Sequence, residues 1–344
     1  MPYLSLPESH EHLRIQDEVQ LHYLLSTPAN PIFTRNAASP SLAVVDGKEI
    51  FRASMHPDPN LPIILVFPSE LFSVSLLFPH LLSDAELATR FNILALDPRG
   101  HGLTREVPPR NGAQHRYNLD TKTADCIDFL DAFLARSPAL PSGGWKFHLV
   151  ACSMSGLVAT RIAARCPEST LSLSIVSPIT EVEDQFVIDS IADCKEIINE
   201  AWHFAHSGDL HQQPQLPGEL VEGFSYRWAG DDEDLPRHVA RNTFHGLLDR
   251  FICRADGREI ANTFLFNLYF DREAQPDAER LKVTADMLVI EGSEHLPYEE
   301  PIGSSFHARF PNVRSFNYEQ IQRAPYVSCC RHRGSKRVPY RSTW

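Results

Sequence analysis

Glycine is scarce in this chain, at 16 of 344 residues, and no apolar stretch is long enough for a membrane span. The longest aliphatic runs, such as Ile63–Phe67, fall far below the ~18 residues needed. The N-terminus, from Met1 to Glu8, lacks the basic start and apolar run of a secretory signal. Also absent is an excess of positive charge. With 32 basic and 44 acidic residues the net charge is −12, which argues against nucleic acid or an anionic membrane surface as a partner. No Cys-x-x-Cys pair occurs. The seven cysteines, Cys126, Cys152, Cys166, Cys194, Cys253, Cys329 and Cys330, form an odd set in a chain too long for a disulfide scaffold. These absences lead us to expect a soluble protein of a reducing, cytoplasmic compartment. What is present is an ordinary globular balance, 43% hydrophobic and 22% charged, enough for a sizeable core. Its 26 prolines suggest many loops.

Between Leu61 and Tyr318 short apolar runs alternate with amphipathic stretches, the pattern of strand-helix units in a mostly parallel sheet. Strands are predicted at Leu61–Phe67, Phe91–Asp97, Lys146–Cys152, Leu171–Ser177, Asp286–Glu291 and Val313–Tyr318. The last alternates polar and apolar residues, as an edge strand does, whereas the others are nearly continuous apolar runs suited to burial on both faces. Val19–Ser26 is predicted to add an antiparallel strand. Asp120–Arg136 has a helical period with Ala124, Ile127, Leu130 and Phe133 on one face and Asp125, Asp128 and Asp131 off it. A second helix, Leu157–Arg165, follows a tight turn at Ser153. Residues 180–280 interrupt the alternation with helical segments (Val187–His206, Leu235–Arg254) and acid-rich loops, and are read as an inserted lid. The resulting division is 1–60 for N-terminal strands and an irregular loop, 61–179 with 281–322 for the sheet core, 180–280 for the lid and 323–344 for a basic tail.

The most informative segment is His148-Leu149-Val150-Ala151-Cys152-Ser153-Met154-Ser155-Gly156-Leu157. A serine between an apolar strand and a helix, with small residues two positions to either side, is a nucleophile-elbow pattern; Ala151 and Ser155 stand where glycines are usual. The plain alternative is a serine that merely caps the helix. With Asp97-Pro98-Arg99-Gly100-His101-Gly102 after an earlier strand and Glu291-Gly292 ending a late one, the chain resembles the α/β-hydrolase superfamily from about Leu61 to Tyr318. A narrower similarity is to hydrolases of fungal secondary-metabolite pathways. The superfamily resemblance implies an α/β-hydrolase fold, an eight-stranded, mostly parallel sheet with helices on both faces and a helical lid. It also implies a structural role for His101.

The same resemblance implies Ser153 as nucleophile, an acid after the strand ending at Glu291 and a histidine after the strand ending at Tyr318. The chain offers Glu294 for the acid, with Glu181 as the alternative. Tyr326 stands where the histidine is expected, and a phenol is a poor base at neutral pH. His332 is then the candidate base. The tail that carries it, from Arg323 to Trp344, holds five Arg, one Lys and no acid. Its other readings are a solvated basic extension or the product of an altered reading frame. Its last residues, Ser342-Thr343-Trp344, are not a peroxisomal address. The oxyanion donors implied are the backbone N–H groups of Met154 and Ser69, Pro68 having none to give.

No cofactor or metal is called for; His203 and His206 lack a third ligand at zinc-like spacing. Cys152 should be buried beneath the turn and Asp231–Asp234 solvated. The aromatic lid (Trp202, Phe204, Phe224, Tyr226, Trp228 and Asn262–Phe270) suits a small apolar ester or thioester as substrate, although the same rings could simply pack the lid on the sheet. Two functions follow. One is a serine hydrolase; the other is a catalytically impaired hydrolase-fold protein that binds an apolar ligand or is a degraded copy. Oligomeric state is left open.

Overall fold

The computed structural model describes residues 3–6, 19–28, 56–70, 72–106, 117–137, 144–207, 251–252, 254–292 and 302–318. Nine strands among them form one sheet: β1 (Tyr3–Leu6), β2 (Val19–Ser26), β3 (Ile63–Phe67), β4 (Asn92–Asp97), β5 (Arg105–Glu106), β6 (Phe147–Cys152), β7 (Thr170–Val176), β8 (Asp286–Gly292) and β9 (Val313–Tyr318). Their order is β1-β2-β4-β3-β6-β7-β8-β9, with the two-residue β5 on β2. β1, β2 and β5 pair antiparallel and the others parallel. The sequence-derived strands are all found, within two residues at each end, and the antiparallel β2 has the predicted bounds. β1 and β5 add to the expected set, so the sheet exceeds the eight strands the resemblance implied. β9, whose sequence alternates, lies at one end of the order.

β3 shows why continuous apolar runs mark the interior strands. Ile63, Leu65 and Phe67 enter one buried cluster, while Ile64 and Val66 enter another on the opposite face. The larger cluster lies under α1 (Leu119–Leu134) and α2 (Met154–Arg165). The smaller includes Val74, Leu77, Phe78 and Leu82 from the short helices that follow β3. Asn118 caps α1 by accepting the Thr121 N–H at 2.9 Å. The buried face of α1 differs from the sequence expectation: Leu130 and Phe133 are buried as expected, Ala124 and Ile127 are half-buried, and Asp125, placed off the apolar face, is buried together with Lys122, Cys126 and Phe129. Asp125 is tied to Arg99, whose Nε donates to Oδ2 at 2.6 Å, with both side chains out of solvent.

Arg99 belongs to the turn after β4, which buried polar contacts hold rigidly. The Asp97 carboxylate accepts the Val74 N–H at 2.8 Å and the Leu103 N–H at 3.1 Å, and contacts His22 Nδ1 at 2.7 Å. A Cβ on Gly102, whose φ is +49°, would fall 2.0 Å from that carboxylate. His101 is buried with Nδ1 at 2.8 Å from the Arg99 carbonyl, in keeping with the structural role expected of it.

The long excursion between β7 and β8 carries α3 (Gln185–His206), short helical pieces and a π-turn at Asn262–Phe266. It docks on the turn after β4 through Phe264, which lies 5.0 Å from the Tyr117 ring, 6.0 Å from the Arg99 guanidinium carbon and against Gly100. Phe264, Leu265, Phe266 and Leu268 join the main core, so these side chains pack the excursion onto the sheet. Most of the helix expected at Leu235–Arg254, together with Phe224, Tyr226, Trp228 and Asp231–Asp234, lies outside the described residues, as does the tail from 319 onward. No helix of the described residues is long and apolar enough to cross a membrane.

Candidate active site

The strand order reverses between β4-β3 and β6-β7, and open parallel sheets place ligands beyond the carboxyl ends of strands at such a switch point. β3 and β6 are neighbours there, with Phe67 opposite Ala151. Two residues farther on, the register brings Ser69 level with Ser153. The loop after one strand therefore meets the turn after the other across 83 residues of sequence.

Ser153 has φ 55° and ψ −129°, a conformation that non-glycine residues rarely adopt and that persists only where surrounding structure fixes it. Several contacts fix it here. The Ser153 N–H donates to the Val176 carbonyl at 3.0 Å, and its carbonyl accepts the Gly156 N–H at 2.9 Å. A Cβ on Gly156 would lie 2.5 Å from Ile175 Cγ2, so a glycine lets α2 run close against β7. Ala151 is fully buried, and the Ser155 hydroxyl donates to the Pro68 carbonyl at 2.6 Å, joining the elbow to the loop after β3. Cys152 is buried below the turn, as expected.

Ser153 precedes α2 but makes no capping bond. Its hydroxyl instead donates to Glu70 Oε2 at 2.8 Å. The same carboxylate oxygen accepts the Ser69 hydroxyl at 3.2 Å. Ser69 and Glu70 are entirely buried, and Ser153 is 5% exposed. Met154, also buried, has a backbone N–H that opens α2 and so lacks an intrahelical acceptor.

On α1, Lys122 is close enough to Glu70 to interact with it electrostatically. The Lys122 side chain is wholly buried, and among the described residues its Nζ makes no hydrogen bond; nor does Glu70 Oε1. Burial pulls the Lys122 ammonium below the usual lysine range, and the Glu70 carboxylate and Cys126 thiol act in the opposite direction. Neither Glu70 nor Lys122 was among the sequence candidates. Glu70 stood in the loop examined for backbone donors, and its signal was an acid between Ser69 and Leu71 at the end of a buried strand.

The other sequence candidates are dispersed. Glu181, the alternative acid, lies after β7 in an arginine cluster, 2.5 Å from Arg309 Nη1 and 3.7 Å from Arg280 Nη2. Glu294 and His332 lie outside the described residues. His206 stacks on Trp202 at 4.5 Å. A surface cavity of about 350 Å³ is lined by Asn199, Glu200, His203, Phe204, Ser207 and Arg258, none of them from the loops after β3 and β6.

An apolar strand, a strained serine and a helix beginning at the next residue, set at the switch point of a mostly parallel sheet, form one arrangement, and residues 65–303 match the family described as alpha/beta hydrolases. The chain belongs to the alpha/beta hydrolase family. Solved structures of similar architecture include the enol-lactonase of Burkholderia xenovorans LB400, at 16% identity and a TM-score of 0.56 over 92% of this chain and 91% of that one. A probable hydrolytic enzyme of Pseudomonas aeruginosa PAO1 is 17% identical, with a TM-score of 0.57 over 95% and 89%. A thermophilic esterase of Thermogutta terrifontis is 13% identical, with a TM-score of 0.57 over 92% and 90%. At these identities the likeness is one of fold. No curated protein sequence matches the chain. Family membership makes the chain a hydrolase in the general sense and leaves its substrate to be argued from the site.

Proposed function

We propose that the chain is a serine hydrolase that cleaves an ester or thioester of a small apolar acyl group, with Ser153 as nucleophile. The observation that carries this reading is the Ser153 conformation. A residue held at φ 55° at the start of α2, whose hydroxyl does not cap the helix, has no evident structural task there. In this reading Ser153 Oγ attacks the acyl carbon and the carbonyl oxygen takes the charge. The N–H groups of Met154 and Ser69 receive that oxyanion, reinforced by the positive end of the α2 dipole. Phe67 ends β3, Phe72 follows the loop after it and Met154 opens α2, all three buried, and these apolar residues near Ser153 in the chain path support an apolar acyl group. Glu294 and His332 remain the acid and base offered by sequence.

A fluorophosphonate probe tests the assignment on the full chain. Labelling that disappears in Ser153→Ala is the expected result. A wild-type protein that melts cooperatively yet takes no label would mean that the chain is a hydrolase-fold protein without serine reactivity.

A further inference from the structure

Glu70 and Lys122 are fully buried ionisable side chains that folding alone does not explain. Removing either group from water costs several kcal/mol unless charge and hydrogen bonds compensate. Yet among the described residues Lys122 Nζ has no hydrogen-bond partner and Glu70 uses one oxygen only, for two serine hydroxyls. Both residues are fully buried, and the electrostatic interaction of Lys122 with Glu70 favours the charged ammonium. One end of this pair touches the Ser153 hydroxyl at 2.8 Å, within the range of a general base on its nucleophile.

We propose that Glu70 is a catalytic residue of this site, the proton acceptor of Ser153, and that the buried Lys122 of α1 acts on it as a positioning residue. The inference rests on Ser153 being the nucleophile. As Oγ bonds to the acyl carbon, the O–H bond breaks, its proton passes to Glu70 Oε2, and the carbonyl π pair moves to oxygen. When that pair returns, the bond to the leaving alcohol or thiol breaks and the departing oxygen or sulfur takes the proton from Glu70. Water repeats the sequence on the acyl-serine. Its proton goes to Glu70, the acid departs, and Ser153 recovers its hydrogen from the carboxyl. The sum is ester plus water giving acid plus alcohol, with the Glu70 carboxylate restored. The Ser69 hydroxyl, at 3.2 Å from the same oxygen, orients that carboxylate.

Rates of fluorophosphonate labelling on the full chain decide the matter, with folding checked by circular dichroism. Glu70→Gln keeps the shape and removes the base, and should slow labelling by about 10² to 10⁴-fold. Glu70→Ala should regain labelling as sodium formate is added, and not with chloride; a purely structural role gives no such rescue. Lys122→Met, acting through Glu70, should slow the wild type and leave Glu70→Gln no slower than before. Labelling of Glu70→Gln at the wild-type rate, or a folded Glu70→Ala indifferent to formate, overturns the proposal and leaves Ser153 standing. So does His332→Ala losing all labelling, because the proton would then belong to an imidazole. A wild type that takes no label removes the nucleophile itself.

Discussion

Gly156 has no room for a side chain, and that constraint is one of those that hold the Ser153 turn against β7. With a Cβ only 2.5 Å from Ile175 Cγ2, Gly156→Ala must push α2 away from β7 or force Ile175 off its rotamer, at a cost of about 1–3 kcal/mol. We expect a lower urea midpoint and slower fluorophosphonate labelling, since Ser153 sits three residues away. Combined with Ile175→Ala, which removes the clashing methyl, the substitution should cost less than the two single changes summed. At Ser155 the side chain is tolerated for a different reason, its hydroxyl reaching the Pro68 carbonyl. The serine of the elbow was legible in the sequence because a strand, a turn and a helix announce themselves locally. Glu70 was not, because its meaning depends on β3 and β6 being neighbours, a pairing that no local pattern encodes.

Among the elements, α1 was located correctly and its buried face was misjudged. Ala124, Ile127, Leu130 and Phe133 do follow a helical period, but Lys122 and Asp125 are charged residues turned inward, which apolar periodicity cannot reveal. Asp125 is met by Arg99 from another part of the chain, and Lys122 interacts electrostatically with Glu70, relations that apolar periodicity does not encode. The parallel strands were legible for the opposite reason, as burial on both faces leaves a continuous apolar run. Asp125 carries a prediction. Asp125→Asn removes from the buried Arg99 guanidinium the carboxylate that Nε contacts, and should cost up to about 3–5 kcal/mol of stability. Arg99→Met/Asp125→Leu, which removes both charges together, should be less damaging than Asp125→Asn alone. Chemical denaturation of the three proteins checks the ordering.

For the molecule as a whole, acid is expected to loosen the folded state through a residue of the central sheet. His148 on β6 places Nδ1 2.8 Å from the Ser172 hydroxyl of β7 and stands edge-on to Phe91 at 5.5 Å. Burial lowers its pKa from the ordinary histidine value. The sign follows from proton counting. Near pH 6.5 the unfolded imidazole takes up a proton while the folded one stays neutral. The unfolded chain thus binds more protons, and stability falls as the pH drops through that window, the penalty growing until the folded imidazole itself protonates. Asp131 on α1 acts in the reverse sense at lower pH. Partial desolvation raises its pKa although the residue is largely exposed, so its folded carboxyl holds a proton slightly longer than the unfolded one, and solvent keeps this opposing effect small. The comparison between variants isolates each group. Melting temperatures of wild type and His148→Gln, measured from pH 7.5 to 5.5, should converge at the alkaline end and diverge on acidification, the wild type falling more steeply. Parallel curves would mean that His148 takes its proton equally readily in both states, and that its burial between β6 and β7 does not govern the acid response.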